Sequence, residues 1–226
     1  MGNKTSTPKD EKEKPARKAT RLKILKAARK IFAQYAYHAA SIRMIGKEAG
    51  IDHPLISYYF SSKAILFEAV LADIVQEWHK ANVTWFKGLD KMGLEAGLSL
   101  YIDRMLDYSR KRPYAAQVFL LNMVQAQDAD TIPGYQAIQK FFDQSTQLLK
   151  SLIPIQATDS DIENFTQSFN TLAMSYVGAK SYYAGILGIP VNSRQYKKWV
   201  KDMLMDLFLP RLKQLMFGKD RLEPGA

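Results

Sequence analysis

Apolar residues recur at three- and four-residue intervals along most of this chain, the spacing that lines them up on one face of an α-helix. From Thr20, a residue type suited to an N-cap, Ile24, Leu25, Ala28, Ile31, Phe32 and Tyr35 predict a first helix to about Tyr37. Ser41 caps a short second helix with Ile42, Ile45 and Ala49 inward, and Gly50 supplies the permissive backbone that ends it. Ile51 follows as a buried turn residue. Asp52 caps a third helix, with Pro54 in a first turn that has no use for its missing N–H and with Ile56, Tyr59 and Phe60 facing inward. Two short helices joined by a tight glycine turn, with a third before them, predict a helix-turn-helix between Ser41 and Phe60.

Ser62 opens a long fourth helix to about Phe86, apolar at Leu66, Val70, Ile74, Trp78 and Trp85. The same periodicity predicts helices over 93–112, 113–127, 135–153, 159–189 and 193–217, two of them stopping at Pro113 and Pro154. No stretch alternates strictly enough to predict a strand. The expected fold class is therefore all-α: a three-helix helix-turn-helix domain followed by a larger helical domain, with about nine helices. The first nineteen residues are polar, contain Pro8 and Pro15, and have too few apolar side chains to offset the entropy of ordering. The expected organisation is a flexible basic arm over 1–19, the helix-turn-helix domain over 20–66 and the larger domain over 67–226.

Charge changes this picture more than composition does. The 226 residues are 47% hydrophobic and 24% charged, ordinary for a globular chain, with a net charge of +10. Residues 1 to 63 hold 14 Lys and Arg against 5 Asp and Glu, whereas residues 64 to 226 hold 18 against 17. A basic field confined to one small region is the footprint of a polyanion-binding module, with nucleic acid the leading partner and an anionic membrane surface the second. No apolar run approaches the length of a membrane span, and the first residues have no apolar core of a secretory signal. With no cysteine for a disulfide, a thiolate metal site or a nucleophile, a cytoplasmic location is expected.

The segment Thr20 to Phe67 resembles the DNA-binding domain of the tetracycline-repressor (TetR) family of bacterial regulators. Ile24, Ala27, Ala28, Phe32, Ser41, Ile42, Ile45, Ala49, Gly50, Ile51, Tyr59, Phe60, Ser62, Lys63 and Leu66 carry the likeness. It implies a homodimer on double-stranded DNA, with residues 67–226 as an effector-binding and dimerisation domain. Three positions depart from the family pattern: Ser57 where tyrosine is common, Pro54 where glycine or alanine is, and Ala64 where an acidic residue usually follows the lysine. The first two change which side chains face DNA, so a base preference does not carry over.

His53, Leu55, Ser57 and Tyr58 are the third-helix positions not needed for packing, and so the candidates for base contact; Leu55 suits a thymine methyl. Thr20, Ser41, Arg43, Tyr59 and Lys63 sit at helix starts or flanks, where charge and the resemblance suggest phosphate contacts. Trp78, Tyr101, Met105, Phe119, Met123, Phe169 and Tyr176 are candidates to line an apolar effector pocket, with Asn122, Gln125 or Asn170 orienting a small-molecule effector of largely apolar or aromatic character. Ser175, Gly178 and Gly185 allow close helix approach, and Trp199, Met203 and Phe208 offer apolar contacts, together suggesting a two-fold dimer seam in the last helices.

Enzymatic chemistry finds little support. No phosphate-cradling glycine loop, His-Glu-x-x-His or Gly-x-Ser-x-Gly occurs, and three histidines give a metal few ligands, so neither cofactor nor metal is expected. Asp103 and Asp107 share a helical face but read as a solvated acidic surface. The rival reading is an all-α ligand-binding or carrier protein whose helix-turn-helix is only structural and whose basic arm lies on an anionic membrane.

Overall fold

The computed structural model describes residues 15–124, 132–152 and 156–218. Among these residues every regular element is helical. The helices are α1 (Pro15–Gln34), α2 (Ile42–Ala49), α3 (His53–Tyr59), α4 (Lys63–Trp85), α5 (Leu94–Lys111), α6 (Tyr114–Val124), α7 (Tyr135–Leu152), α8 (Asp159–Gly178), α9 (Lys180–Leu187) and α10 (Arg194–Phe217), with a 3-10 turn over Leu89–Lys91 between α4 and α5.

The first helix starts five residues earlier than its apolar spacing predicts. Thr20 is therefore not a cap: it lies within α1, and its hydroxyl donates to the Ala16 carbonyl at 3.1 Å. The extra turn is exposed, which is why hydrophobic periodicity does not reveal it. Residues 15–19 of the expected arm are thus helical, and its remainder lies outside the described residues.

The segment expected as one helix over 159–189 is two. The break falls at Ala179, with φ −97° and ψ 25°, and the Ser175 and Tyr183 hydroxyls hydrogen-bond across it at 2.9 Å. Gly178 ends α8 directly before the bend, but the apolar periodicity continues across it, so spacing alone does not show the break. Asp103 and Asp107 share a face of α5 on which Asp107 is exposed and Asp103 partly so, and both have ion-pair partners there. Lys197 and Lys201 of α10 reach across to α5, with Lys201 Nζ 2.5 Å from Asp103 and Lys197 Nζ 3.0 Å from Asp107. Burial alone would raise the Asp103 pKa, but hydrogen bonds from Lys201 and Lys197 outweigh it and hold the carboxyl below its usual range.

Two buried apolar clusters organise the chain. One joins α1–α3 to α4, α6 and α7, and includes Ile24, Phe32, Ile45, Ile56, Phe67, Val118 and Phe119. The other fills the space among α5, α8 and α10 through Ile102, Phe165, Phe169, Leu204 and Leu212. The first cluster runs through the expected boundary near residue 66 without a gap. Arg29 reinforces the junction, bonding Asp73 at 2.6 Å and Glu77 at 2.9 Å and so tying α1 to α4.

Candidate nucleic-acid interface

The helix-turn-helix is built by its caps. The Ser41 side chain accepts from the Met44 N–H, and Gly50 closes α2 in the left-handed region at φ 59°. Asp52 precedes α3 in extended conformation without a side-chain cap bond, and Pro54 occupies the first turn. The Ser62 side chain then accepts from the Ile65 N–H to start α4.

One further glycine shapes the motif. Gly46 lies within α2, and a Cβ there would stand 2.7 Å from the Ile51 carbonyl oxygen. The Ile51 N–H meanwhile donates to the Gly46 carbonyl at 3.0 Å. The turn folds directly against α2 because position 46 has no side chain.

Seven residues form α3, and of these only Ile56 is fully buried. It plugs the helix into the core and leaves His53, Leu55, Ser57 and Tyr58 exposed; Tyr58 is 65% and Leu55 44% accessible. Arg43 is exposed on α2 and Tyr59 is half-buried. The extra turn of α1 approaches the same surface, with the Arg17 guanidinium 5.3 Å from the Tyr58 ring and Arg21 the same distance from Phe60. The apolar spacing does not reveal Arg17, which precedes the expected start of α1, and it places Arg21 on the helix without showing that it reaches Phe60.

Lys63 has internal partners. Its ammonium donates to the Tyr37 carbonyl at 2.8 Å and the Ala40 carbonyl at 3.0 Å, and lies 4.4 Å from the Tyr37 ring centre. From the other side, Asn122 Oδ1 of α6 accepts the Tyr37 N–H at 2.8 Å, while its Nδ2 donates to the Val118 carbonyl. The backbone of Tyr37 is therefore held on both sides, its C=O by α4 and its N–H by α6. Asn122 is 1% exposed and faces the helix-turn-helix rather than a cavity.

A cavity of about 610 Å³ opens among α4, α5, α7, α8 and α10. Tyr101, Phe169 and Asn170 line it, together with Asn82, Phe86, Leu98, Leu149, Phe165 and Leu212, and periodicity alone cannot separate such residues from ordinary core. Trp78 and Met105 border a separate void of about 40 Å³, and Tyr176 one of about 70 Å³. Phe119 belongs to the core beside Trp78, and Met123 packs against that same cluster. Gln125 lies outside the described residues.

The candidate seam residues divide. Trp199 and Met203 are partly exposed on α10, and Leu207, one turn on, is 56% exposed. Gly185 has open space around it. Gly178, in contrast, meets α6 of its own chain, where a Cβ would stand 3.2 Å from the Ala116 carbonyl oxygen. Ser175 is engaged by Tyr183, and Phe208 is buried against Phe165 and Phe169. The close approach and the apolar contact expected of Gly178 and Phe208 are thus made within one chain.

Among the described residues no single helix is long and apolar enough to cross a membrane. A family model for bacterial regulatory proteins of the tetR family matches residues 24–70. The HTH-type transcriptional regulator RutR of Escherichia coli strain K12 is 33% identical over 101 residues, which cover 45% of this chain and 46% of RutR; the match spans about half the length of that relative. The backbone is similar to a tetR-family transcriptional regulator from Streptomyces coelicolor (TM-score 0.63, 17% identity, 90% of this chain and 85% of that one). It is similar also to a transcriptional regulator from Rhodococcus sp. Rha1 (TM-score 0.63, 18% identity, 84% and 96%). At these identities the structures establish a shared fold. Residues 24–70 thus match the tetR-family model for bacterial regulatory proteins, and the backbone as a whole shares the fold of those solved regulators.

Proposed function

We propose that the chain is a sequence-specific DNA-binding regulator that acts as a homodimer and releases its operator when a small molecule binds. The observation that carries this reading is α3, which buries only Ile56 and presents His53, Leu55, Ser57 and Tyr58 outward beside a basic flank. Matched relatives are named HTH-type transcriptional regulators. Two such helices in a dimer fit half-sites about one helical turn apart. Thr20, Ser41, Arg43, Tyr59 and Lys63 position the head on phosphates, and the exposed α3 side chains read bases.

Selection of bound DNA from a random pool tests this, and a near-palindromic consensus is expected. Because Tyr58 and Leu55 are exposed, alanine at either position should leave stability within about 0.5 kcal/mol while weakening the selected site by roughly 1–3 kcal/mol. Lys63→Ala should instead weaken all sequences alike and lower the salt slope by about one. Recovery of no consensus, with the same weak affinity for every DNA, would refute the reading.

For the dimer, Trp199, Met203 and Leu207 repeat at four-residue spacing along one side of α10, and Tyr182 and Ile186 are each 66% exposed on α9. Sedimentation of Leu207→Glu should show a shift towards monomer relative to the unaltered chain. An unchanged dimer would move the seam elsewhere.

A further inference from the structure

We infer that the large cavity takes a neutral, mainly apolar molecule with one carbonyl-type oxygen, and that the Asn82 side-chain amide anchors that oxygen. This rests on the regulatory reading above, in which the cavity receives the effector. The walls are aromatic and aliphatic, and their hydrogen-bond donors are almost all engaged. The Ser145 hydroxyl donates to the Phe141 carbonyl at 2.9 Å and the Thr166 hydroxyl to the Ile162 carbonyl at 2.8 Å. Asn170 Nδ2 donates to the Thr166 carbonyl at 2.9 Å, and the Tyr101 hydroxyl to Asn82 Oδ1 at 2.8 Å.

Asn82 is the exception. It is 5% exposed and lines the cavity, and the Tyr101 hydroxyl fixes its amide by occupying Oδ1. Its Nδ2 has no hydrogen-bond acceptor among the described residues. That N–H is not among the buried unpartnered side-chain atoms and so reaches the accessible space of the cavity. An acceptor oxygen brought there by a ligand replaces water at a donor that is already oriented.

The same walls select against charge. Lys87 and Asp90 are the only charged residues lining the cavity among the described residues, and both are exposed near the turn between α4 and α5. A carboxylate or ammonium carried inward would lose its hydration without meeting a buried counter-ion. The anchor lies on α4, the helix whose first residue, Lys63, holds the Tyr37 and Ala40 carbonyls of the head. Occupancy at Asn82 therefore acts on the element that joins cavity to head.

Three ten-carbon probes test the assignment by calorimetry on the full chain: 2-decanone, decanoate and decylammonium. The ketone should bind at least about tenfold more tightly than either ion. Asn82→Asp retains an acceptor for the Tyr101 hydroxyl but removes the amide donor, so ketone affinity should fall about tenfold or more while decylammonium affinity rises. This opposite movement of two probes is not what general unfolding produces, and the ranking on the unaltered chain stands without any variant. Tighter binding of either ion to the unaltered chain, ketone affinity unchanged in Asn82→Asp, or no saturable binding of any probe up to about 1 mM would each overturn the inference. DNA selection without a probe judges the regulatory reading separately. A chain that selects an operator but ranks the probes wrongly retains the function and loses this assignment.

Discussion

Replacing Gly46 with alanine is expected to destabilise the head by about 2 kcal/mol and to abolish selective DNA binding at temperatures where the unaltered chain binds. Two effects compete. Alanine favours helix over glycine by about 1 kcal/mol at an interior position, which alone would stabilise α2. Against it stands a Cβ placed 2.7 Å from the Ile51 carbonyl oxygen, a distance that real Cβ atoms essentially never show. The turn cannot retreat freely, because the Ile51 N–H is bonded to the Gly46 carbonyl and Gly50 fixes the reversal between them. Overpacking of this kind costs roughly 1–3 kcal/mol, and here it includes a shift of backbone. Gly97→Ala in α5 is the matched comparison: its nearest neighbours would lie 3.8 and 3.9 Å from the new Cβ, ordinary contact, so the helix preference should show as a small gain. Urea denaturation of both variants measures the contrast. A stabilised Gly46→Ala would mean that the turn is far more yielding than its hydrogen bonds imply.

Asn122→Ala is expected to cost about 2–3 kcal/mol, an unusual loss for a polar residue remote from any ligand. The Asn122 side chain is buried, and both of its polar atoms are used: Oδ1 takes the Tyr37 N–H and Nδ2 gives to the Val118 carbonyl. Truncation leaves the Tyr37 N–H facing apolar surroundings and opens a void beside it. Hydrogen exchange should report the change locally, with the Tyr37 amide losing protection ahead of amides in α8 and α10. The loop it holds is also where Lys63 binds, so selective DNA affinity should fall along with stability. Retained stability and unchanged protection at Tyr37 would show that water replaces the bond at no cost.

The helix-turn-helix was legible because several independent signals coincide between Ser41 and Ser62. Ser41, Gly50, Pro54 and Ser62 each have a local backbone role that residue type alone discloses, and Ile45 and Ile56 mark the inward faces. The body was legible as helices but not as an arrangement. Phe208 and Leu207 are adjacent and both apolar, yet one is buried against Phe165 and the other faces outward. That difference is set by the position of α8, which no local spacing contains. Asn122 and Asn82 show the same limit for polar groups. Both are buried asparagines on apolar helices, one completing the backbone of the head and the other presenting a donor to a cavity. The first turn of α1 was illegible for a simpler reason: an exposed helical turn has no apolar stripe to betray it.

The unbroken apolar cluster from α1 to α7 also determines where the chain tolerates being cut. Exchanging heads between relatives by joining them after residue 66 would sever Phe32 from Phe67, whose rings stand 4.7 Å apart, and divide the single apolar cluster that also holds Val118 and Phe119. Such a hybrid inherits two half-matched surfaces, whatever operator its new α3 reads. A working transplant would carry the inner faces of α4 and α6 with the head, so the unit of exchange is larger than the unit of recognition.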